Sequence, residues 1–161
     1  MGWDSCHYNQ LLFFLGNANE TCLDKPAEIA FVVDSSGSME DAWPKVKAWL
    51  AALVDAYKID GTTRKGGLVV WSNYIHEKET IRFTEKKTAA ELKTAIENLP
   101  TPNGHTDGQL ALSYTYDNLF AVGSDPNVFR EIIFISDGVS RTPLPQHPTQ
   151  VQKYMHANIS L

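Results

Sequence analysis

The 161-residue sequence has no long apolar run, little cysteine and no excess of basic residues. Its longest apolar segment, LLFFLG at 11–16, is far shorter than the roughly 18 residues that cross a membrane, so we expect no membrane insertion. Lys and Arg number 14 against 19 Asp and Glu, and the net charge is -5. We expect no nucleic-acid partner, because phosphate binding favours a basic surface. The remaining composition, 43% hydrophobic and 20% charged, is typical of a globular domain.

The two cysteines, Cys6 and Cys22, lie in a polar N-terminal arm, residues 1–27. They could form a disulfide that closes this arm, remain free thiols, or pair with a segment outside the chain. A glycosylation sequon, NET at 19–21, lies beside Cys22, and a second, NIS, is found at 158–160. Cysteines and sequons together favour a secreted glycoprotein.

From residue 28 onwards, apolar runs typical of strands alternate with segments of helical periodicity. This alternation predicts an α/β fold, a Rossmann-like, doubly wound and mostly parallel sheet with helices on both faces. The second and third strands are close together in sequence and predict one antiparallel edge strand. The predicted strands are 28–34, 68–72, 74–83 and 131–137, and the predicted helices are 41–57, 88–99, 108–120 and 149–157.

Two of the predicted helices begin at recognisable capping residues. Asp41 is the predicted N-cap of the first helix, and Pro44 falls in its first turn, where a missing N–H costs little. Thr88 and Glu91 have the spacing of a capping box at the start of the second helix.

The segment IAFVVDSSGSME at 29–40 ends a buried-looking strand with a cluster of oxygen-bearing side chains. Asp34, Ser36 and Ser38 alternate with small residues, so one tight loop can direct three oxygens toward a single point. Gly37 is expected to permit the sharp backbone path that this loop requires. The pattern predicts a ligand at the carboxyl end of the strand.

Thr106 and Asp137 extend this cluster. Thr106 lies in a glycine-flanked loop, and Asp137 ends the strand 131–137, which repeats the pattern of the first strand. Ligands of such sheets gather where strand order reverses, so we expect Asp34 and Asp137 to be neighbours. Two carboxylates and three hydroxyls, without His or Cys, form an all-oxygen set that selects Mg²⁺ first, with Mn²⁺ or Ca²⁺ as alternatives.

Three segments together resemble the von Willebrand factor type A domain and its metal-ion-dependent adhesion site. DSSGS at 34–38 is similar to the family's Asp-x-Ser-x-Ser loop, GHTDGQLAL at 104–112 carries its threonine, and FISDG at 134–138 carries its second aspartate. The resemblance covers residues 28–161 and implies a type A domain there. It also implies that the metal is held by Asp34, Ser36, Ser38, Thr106 and Asp137.

The resemblance further implies a non-enzymatic, extracellular adhesion or matrix module. Its metal would engage an acidic residue of a protein partner, such as collagen or another matrix component. One alternative is an intracellular scaffold domain of the same fold. Another is a Mg²⁺-dependent phosphotransferase, although Ser36 stands where such enzymes carry a second acid. A serine hydrolase is disfavoured because the frame Gly-x-Ser-x-Gly is absent.

Two expectations concern the end of the chain and the surroundings of the site. The family's closing strand and C-terminal helix have no counterpart here, and we expect 158–161 to pair in parallel with 131–136. An uncovered sheet edge would favour self-association. Near the site, His105 is expected to be a rim residue rather than a ligand. Trp71 and Tyr74 could line a binding face or pack against neighbouring elements.

Overall fold

A parallel sheet forms the centre of the molecule. The computed structural model describes residues 25–137 and the strand residues 159–160. The strands are β1 (Ala27–Asp34), β2 (Arg64–Trp71), β3 (Phe129–Ile135) and β4 (Ile159–Ser160), in the order β2-β1-β3-β4. All three pairings are parallel, and β4 pairs Ile159 and Ser160 with Arg130 and Glu131. The predicted parallel pairing at the end of the chain is therefore confirmed.

Helices cover both faces of this sheet. They are α1 (Trp43–Ala56), α2 (Ala89–Glu97) and α3 (Gly108–Thr115), which continues as a π-helix over Tyr116–Phe120. One core lies between the sheet, α1 and α2, and a second lies between the sheet, α3 and the π-helix. This arrangement confirms the predicted doubly wound α/β fold.

The central strands are apolar on both faces because helices pack on both sides. All eight residues of β1 are buried. In β2, Gly66 and Gly67 face opposite helical layers at close range. A Cβ on Gly66 would lie 2.6 Å from Leu92 Cδ2, and one on Gly67 would lie 2.8 Å from Leu119 Cδ2. The two glycines therefore let both helical layers approach the sheet closely.

One of the two predicted helix starts is correct. Thr88 and Glu91 form the capping box of α2, with the Thr88 side chain accepting from Glu91 N–H. The Asp41 prediction is wrong, because a 3-10 helix over Gly37–Ala42 leads directly into α1 and contains Asp41. Ala42 is the residue before α1 and provides no side-chain cap, while Pro44 does lie in the first turn.

The predicted antiparallel edge strand at 74–83 is reduced to two isolated antiparallel bridges, Leu68 with Ile81 and Trp71 with Ile75. A turn interrupts it, in which Glu79 N–H and the Thr80 hydroxyl both donate to the His76 carbonyl. The interruption leaves residues 72–76 as a separate loop.

Several sequence predictions lie outside the described residues. They are the disulfide between Cys6 and Cys22, the glycosylation of Asn19 and the helix at 149–157. Within the described residues, no helix has the length and apolar character needed to cross a bilayer.

Candidate metal centre

The first carboxylate of the predicted site, Asp34, is fully buried at the carboxyl end of β1. Its Oδ1 accepts from Ser36 N–H at 2.8 Å, and its Oδ2 accepts from the Ser136 hydroxyl at 2.8 Å. Among the described residues, no lysine, arginine or histidine forms an ion pair with it. A buried carboxylate without a cationic neighbour is costly, so its environment suits a bound cation.

The loop after Asp34 brings two of the predicted hydroxyl ligands together. The Oγ atoms of Ser36 and Ser38 are 3.1 Å apart, with Ser36 buried and Ser38 exposed. The Asp34 hydrogen bond to Ser36 N–H closes this turn locally. The three residues Asp34, Ser36 and Ser38 therefore direct oxygen atoms into one small region beside the end of β1.

The glycine that needs its conformational freedom is Gly104, not Gly37. Gly104 has φ +92°, and a Cβ there would lie 2.3 Å from Asn73 Oδ1. Gly37 has no positive φ, and a Cβ there would meet only ordinary contact at 3.7 Å. The expectation that Gly37 shapes the loop is wrong, because its N–H makes the decisive contact instead, donating to Gly104 C=O at 3.1 Å.

Backbone hydrogen bonds between loops hold the segment that carries Thr106. Asn103 N–H donates to Ser35 C=O at 2.8 Å, in addition to the Gly37–Gly104 bond. On its other side, Asp107 N–H donates to Ser72 C=O at 3.1 Å, and the Asp107 side chain caps α3. Thr106 is buried between these two anchors.

The second predicted carboxylate, Asp137, lies two residues beyond the end of β3. The register pairs Val33 with Ile135, so Ser136 comes level with Asp34 and donates to it. Asp137 is the next residue and is exposed. The carboxyl ends of β1 and β3 meet where the strand order reverses, which is the predicted place.

Sequence reasoning missed Ser136, which binds Asp34 directly. The sequence motifs alone do not identify it, because the alignment of residue 136 with residue 34 follows from the register between β1 and β3. The other residues predicted near the site differ in exposure. Trp71 is fully buried and packs on Phe134, whereas Tyr74 is 50% exposed, and His105 is exposed at the rim.

The donor set fits a hard cation by its chemistry. The described residues contain no group of three or more His, Cys, Asp or Glu side chains that could hold a metal. Any cation here would therefore depend on hydroxyl oxygens in addition to the two carboxylates. Such oxygen ligands suit Mg²⁺, Mn²⁺ or Ca²⁺.

Residues 28–161 match the family profile of the von Willebrand factor type A domain. The chain belongs to this family. Among curated relatives of this type A domain, matrilin-3 of Gallus gallus is 24% identical over 76% of this chain and 28% of its own length. Collagen alpha-5(VI) chain of Mus musculus is 30% identical over 73% of this chain and 4% of its own length. The type A chain thus spans less than a third of each of these relatives.

Solved structures of similar fold extend the comparison. Proximal thread matrix protein 1 from the mussel byssus matches the type A domain with a TM-score of 0.73 and 22% identity, covering 86% of this chain and 37% of that one. The same protein has been solved with a zinc-occupied MIDAS (metal-ion-dependent adhesion site) motif. The pilus adhesin SpaC of Lactobacillus rhamnosus GG matches with a TM-score of 0.57 and 26% identity, covering 72% of this chain and 15% of that one.

Proposed function

We propose that this type A domain is a secreted, protein-binding matrix module that acts through a divalent cation. Asp34, Ser36, Ser38, Thr106 and Asp137 would hold the cation, Mg²⁺ first, with Mn²⁺ or Ca²⁺ as alternatives. When bound, the cation would offer a coordination position to a carboxylate of the partner. The partner is a protein such as collagen or another matrix component.

The burial of Asp34 without a cationic neighbour among residues 25–137 carries this proposal. Both of its oxygens accept hydrogen bonds from neutral donors, Ser36 N–H and the Ser136 hydroxyl, and these do not neutralise its charge. A cation supplied from solution would neutralise it, and the adjacent serine hydroxyls could complete the ligand set. The zinc-occupied motif in the mussel protein supports divalent binding at this motif.

The relatives support the matrix setting. Matrilins and collagen VI chains are among the proteins that the domain resembles, and a pilus adhesin shares its fold. A role in binding, rather than in catalysis, agrees with these names. The phosphotransferase alternative is tested by an aryl phosphate assay, for which we expect no turnover.

One pair of side chains bears on the hydrolase alternative. Ser35 Oγ lies 3.2 Å from His76 Nε2, a spacing that a serine nucleophile and its base would also show. Ser35 is fully buried, however, and its hydroxyl already donates to Trp71 C=O at 3.0 Å. A substrate could not reach this hydroxyl without displacing the loop, which favours a structural use of the pair.

The proposal is tested with Asp34→Asn, which removes the charge and keeps the shape. Titration with Mn²⁺ is expected to show one site in the wild type and an affinity at least about 100-fold weaker in the variant. Asp117→Asn, an exposed aspartate beyond the end of α3, is the matched control and should bind Mn²⁺ normally.

The partner is tested on immobilised fibrillar collagen, with Mg²⁺ and again with EDTA. We expect binding in Mg²⁺ only, and loss of that binding in Asp34→Asn. Collagen binding that persists in EDTA would place the contact surface elsewhere. If Mn²⁺ binds and collagen does not, the cation site stands and the choice of collagen is wrong.

A further inference from the structure

Ser35 holds the main-chain turn between the two ligands Asp34 and Ser36. Its N–H donates to Trp71 C=O at 2.7 Å, and its C=O accepts from Asn103 N–H at 2.8 Å. The side chain is fully buried and its hydroxyl donates to the same Trp71 carbonyl at 3.0 Å. Ser35 thus ties the predicted ligand loop to β2 and to the loop that carries Thr106.

The hydrogen bonds of the Ser35 hydroxyl involve His76. A serine hydroxyl has one proton, and that of Ser35 is directed to Trp71 C=O, so its oxygen is left to accept. His76 Nε2 lies 3.2 Å from that oxygen, with a longer contact of 3.5 Å to Ser72 Oγ. With the serine proton so directed, a proton on Nε2 of His76 would be donated to Ser35.

His76 is held through both its ring and its backbone. The ring of Tyr74 stacks on it with a centroid distance of 4.6 Å and an interplanar angle of 27°. The backbone N–H of His76 donates to Val70 C=O at 2.9 Å, and the backbone C=O of His76 accepts from the Thr80 hydroxyl. The imidazole cannot swing away from Ser35 without breaking the stack on Tyr74.

We propose that His76 is a positioning residue for the cation site, acting through a hydrogen bond from its Nε2–H to Ser35. This inference rests on the proposed function, because it concerns the ligands Asp34 and Ser36 that flank Ser35. His76 touches no ligand itself. Its bond restrains the turn that presents Ser36, so that less ordering remains to be done when a cation binds.

The test compares His76→Gln with His76→Asn in the full chain. A glutamine amide nitrogen can occupy nearly the place of Nε2, whereas an asparagine amide nitrogen corresponds to Nδ1 and falls short of Ser35. Both substitutions are neutral amides and both lose the stacked ring. We expect Mn²⁺ to bind His76→Asn about 10-fold more weakly than wild type, and His76→Gln within about 2-fold.

A double variant separates positioning from general damage. Ser35→Ala removes the acceptor, so adding His76→Asn to it should weaken Mn²⁺ binding no further. Thermal unfolding in EDTA is recorded for each variant. A fall in unfolding temperature with unchanged Mn²⁺ affinity in His76→Asn would overturn the proposal, and so would equal losses in the Gln and Asn variants.

A third measurement does not depend on the variants folding. Long-range ¹H–¹⁵N NMR of the wild type in EDTA should show His76 as the Nε2–H tautomer near neutral pH. Burial lowers the pKa of His76, so the ring is neutral there. An Nδ1–H tautomer would overturn the proposal. Absence of Mn²⁺ binding in the wild type would instead refute the proposed function, and this inference with it.

Discussion

The strand β1 carries a fully buried carboxylate near each end, and the two are compensated differently. Near the amino end, Glu28 accepts from Lys65 Nζ at 2.9 Å, from the Ser124 hydroxyl and from Asp125 N–H at 3.1 Å. At the carboxyl end, Asp34 accepts only from neutral donors among the described residues. Both carboxylates accept hydrogen bonds, but within residues 25–137 only Glu28 has a cationic partner.

Under the proposed function, this difference would separate a structural carboxylate, Glu28, from a cation-binding one, Asp34. Burial alone does not mark a site, because Glu28 and Asp34 are equally buried on the same strand. The proposed mark is the lack of a cationic partner within the described part of the chain, since a buried charge without such a partner is costly and would be stabilised by a cation from solution. Four predictions test this comparison, from the largest expected effect to the smallest.

Lys65→Met should destabilise the protein by about 3 kcal/mol, because it leaves the Glu28 charge buried and unpaired while retaining the apolar stem. Urea unfolding measures the loss. The control is Lys93→Met, whose partner Asp55 is exposed, and which should cost less than about 1 kcal/mol. If Lys65→Met costs no more than this control, Glu28 does not depend on its lysine and the contrast with Asp34 fails.

A third carboxylate, that of the partly buried Glu131 on β3, should make stability depend on pH. Burial raises its pKa to about 7, although the Tyr57 hydroxyl hydrogen-bonds to it. Because this folded-state pKa is raised, the stabilising contribution is fully present below about pH 4.5 and is lost as the pH rises through 7. The loss amounts to up to about 3 kcal/mol. Urea unfolding from pH 5 to 8 should show a flatter profile for Glu131→Gln.

Saturating Mg²⁺ should stabilise the wild type, by about 2.7 kcal/mol at 100 times its dissociation constant. Asp34→Asn should lose this gain entirely. In EDTA the same variant should be about 1 kcal/mol more stable than wild type, because it removes an uncompensated buried charge. Glu28→Gln should change stability equally with and without Mg²⁺. Urea unfolding in EDTA and in Mg²⁺ compares the three proteins, and stabilisation of Asp34→Asn by Mg²⁺ would contradict the assignment of Asp34.

The smallest effect is expected at the serines that donate to the two carboxylates. Ser136→Ala removes a donor from Asp34, and Ser124→Ala removes one from Glu28. Each should destabilise the metal-free protein by about 1 kcal/mol. Only Ser136→Ala should also weaken Mn²⁺ binding, by about 3-fold, as titration would show. Equal Mn²⁺ affinity in the two variants would mean that Ser136 serves stability alone.

Local patterns predicted much of the architecture. The apolar run of β1, the capping box of Thr88 and Glu91, and the helical spacing of α2 are each specified within a few residues, and the structure confirms them. The antiparallel strand at 74–83 was less predictable. Ile75 and Ile81 do form antiparallel bridges with β2, as the predicted strand requires. A turn around Glu79 interrupts the ladder between them.

Errors of prediction arose where a neighbouring element decided the outcome. Asp41 has the chemistry of a helix cap, but the 3-10 helix over Gly37–Ala42 already includes it. Gly37 was expected to adopt a special conformation, but the glycine that does so is Gly104. Its φ is positive, and a Cβ there would collide with Asn73. In each case the competing contact lies outside the motif that suggested the prediction.

The sequence by itself determined the alternation of strands and helices and the oxygen-rich motifs that end β1 and β3, because these depend on near neighbours along the chain. Only the tertiary structure decided that Asp34 lacks a cationic partner among the described residues while Glu28 has one. It also decided that Ser136 comes level with Asp34 and that His76 reaches Ser35. These contacts join residues 41 to 102 positions apart, and only the packing of strands and loops brings such residues together.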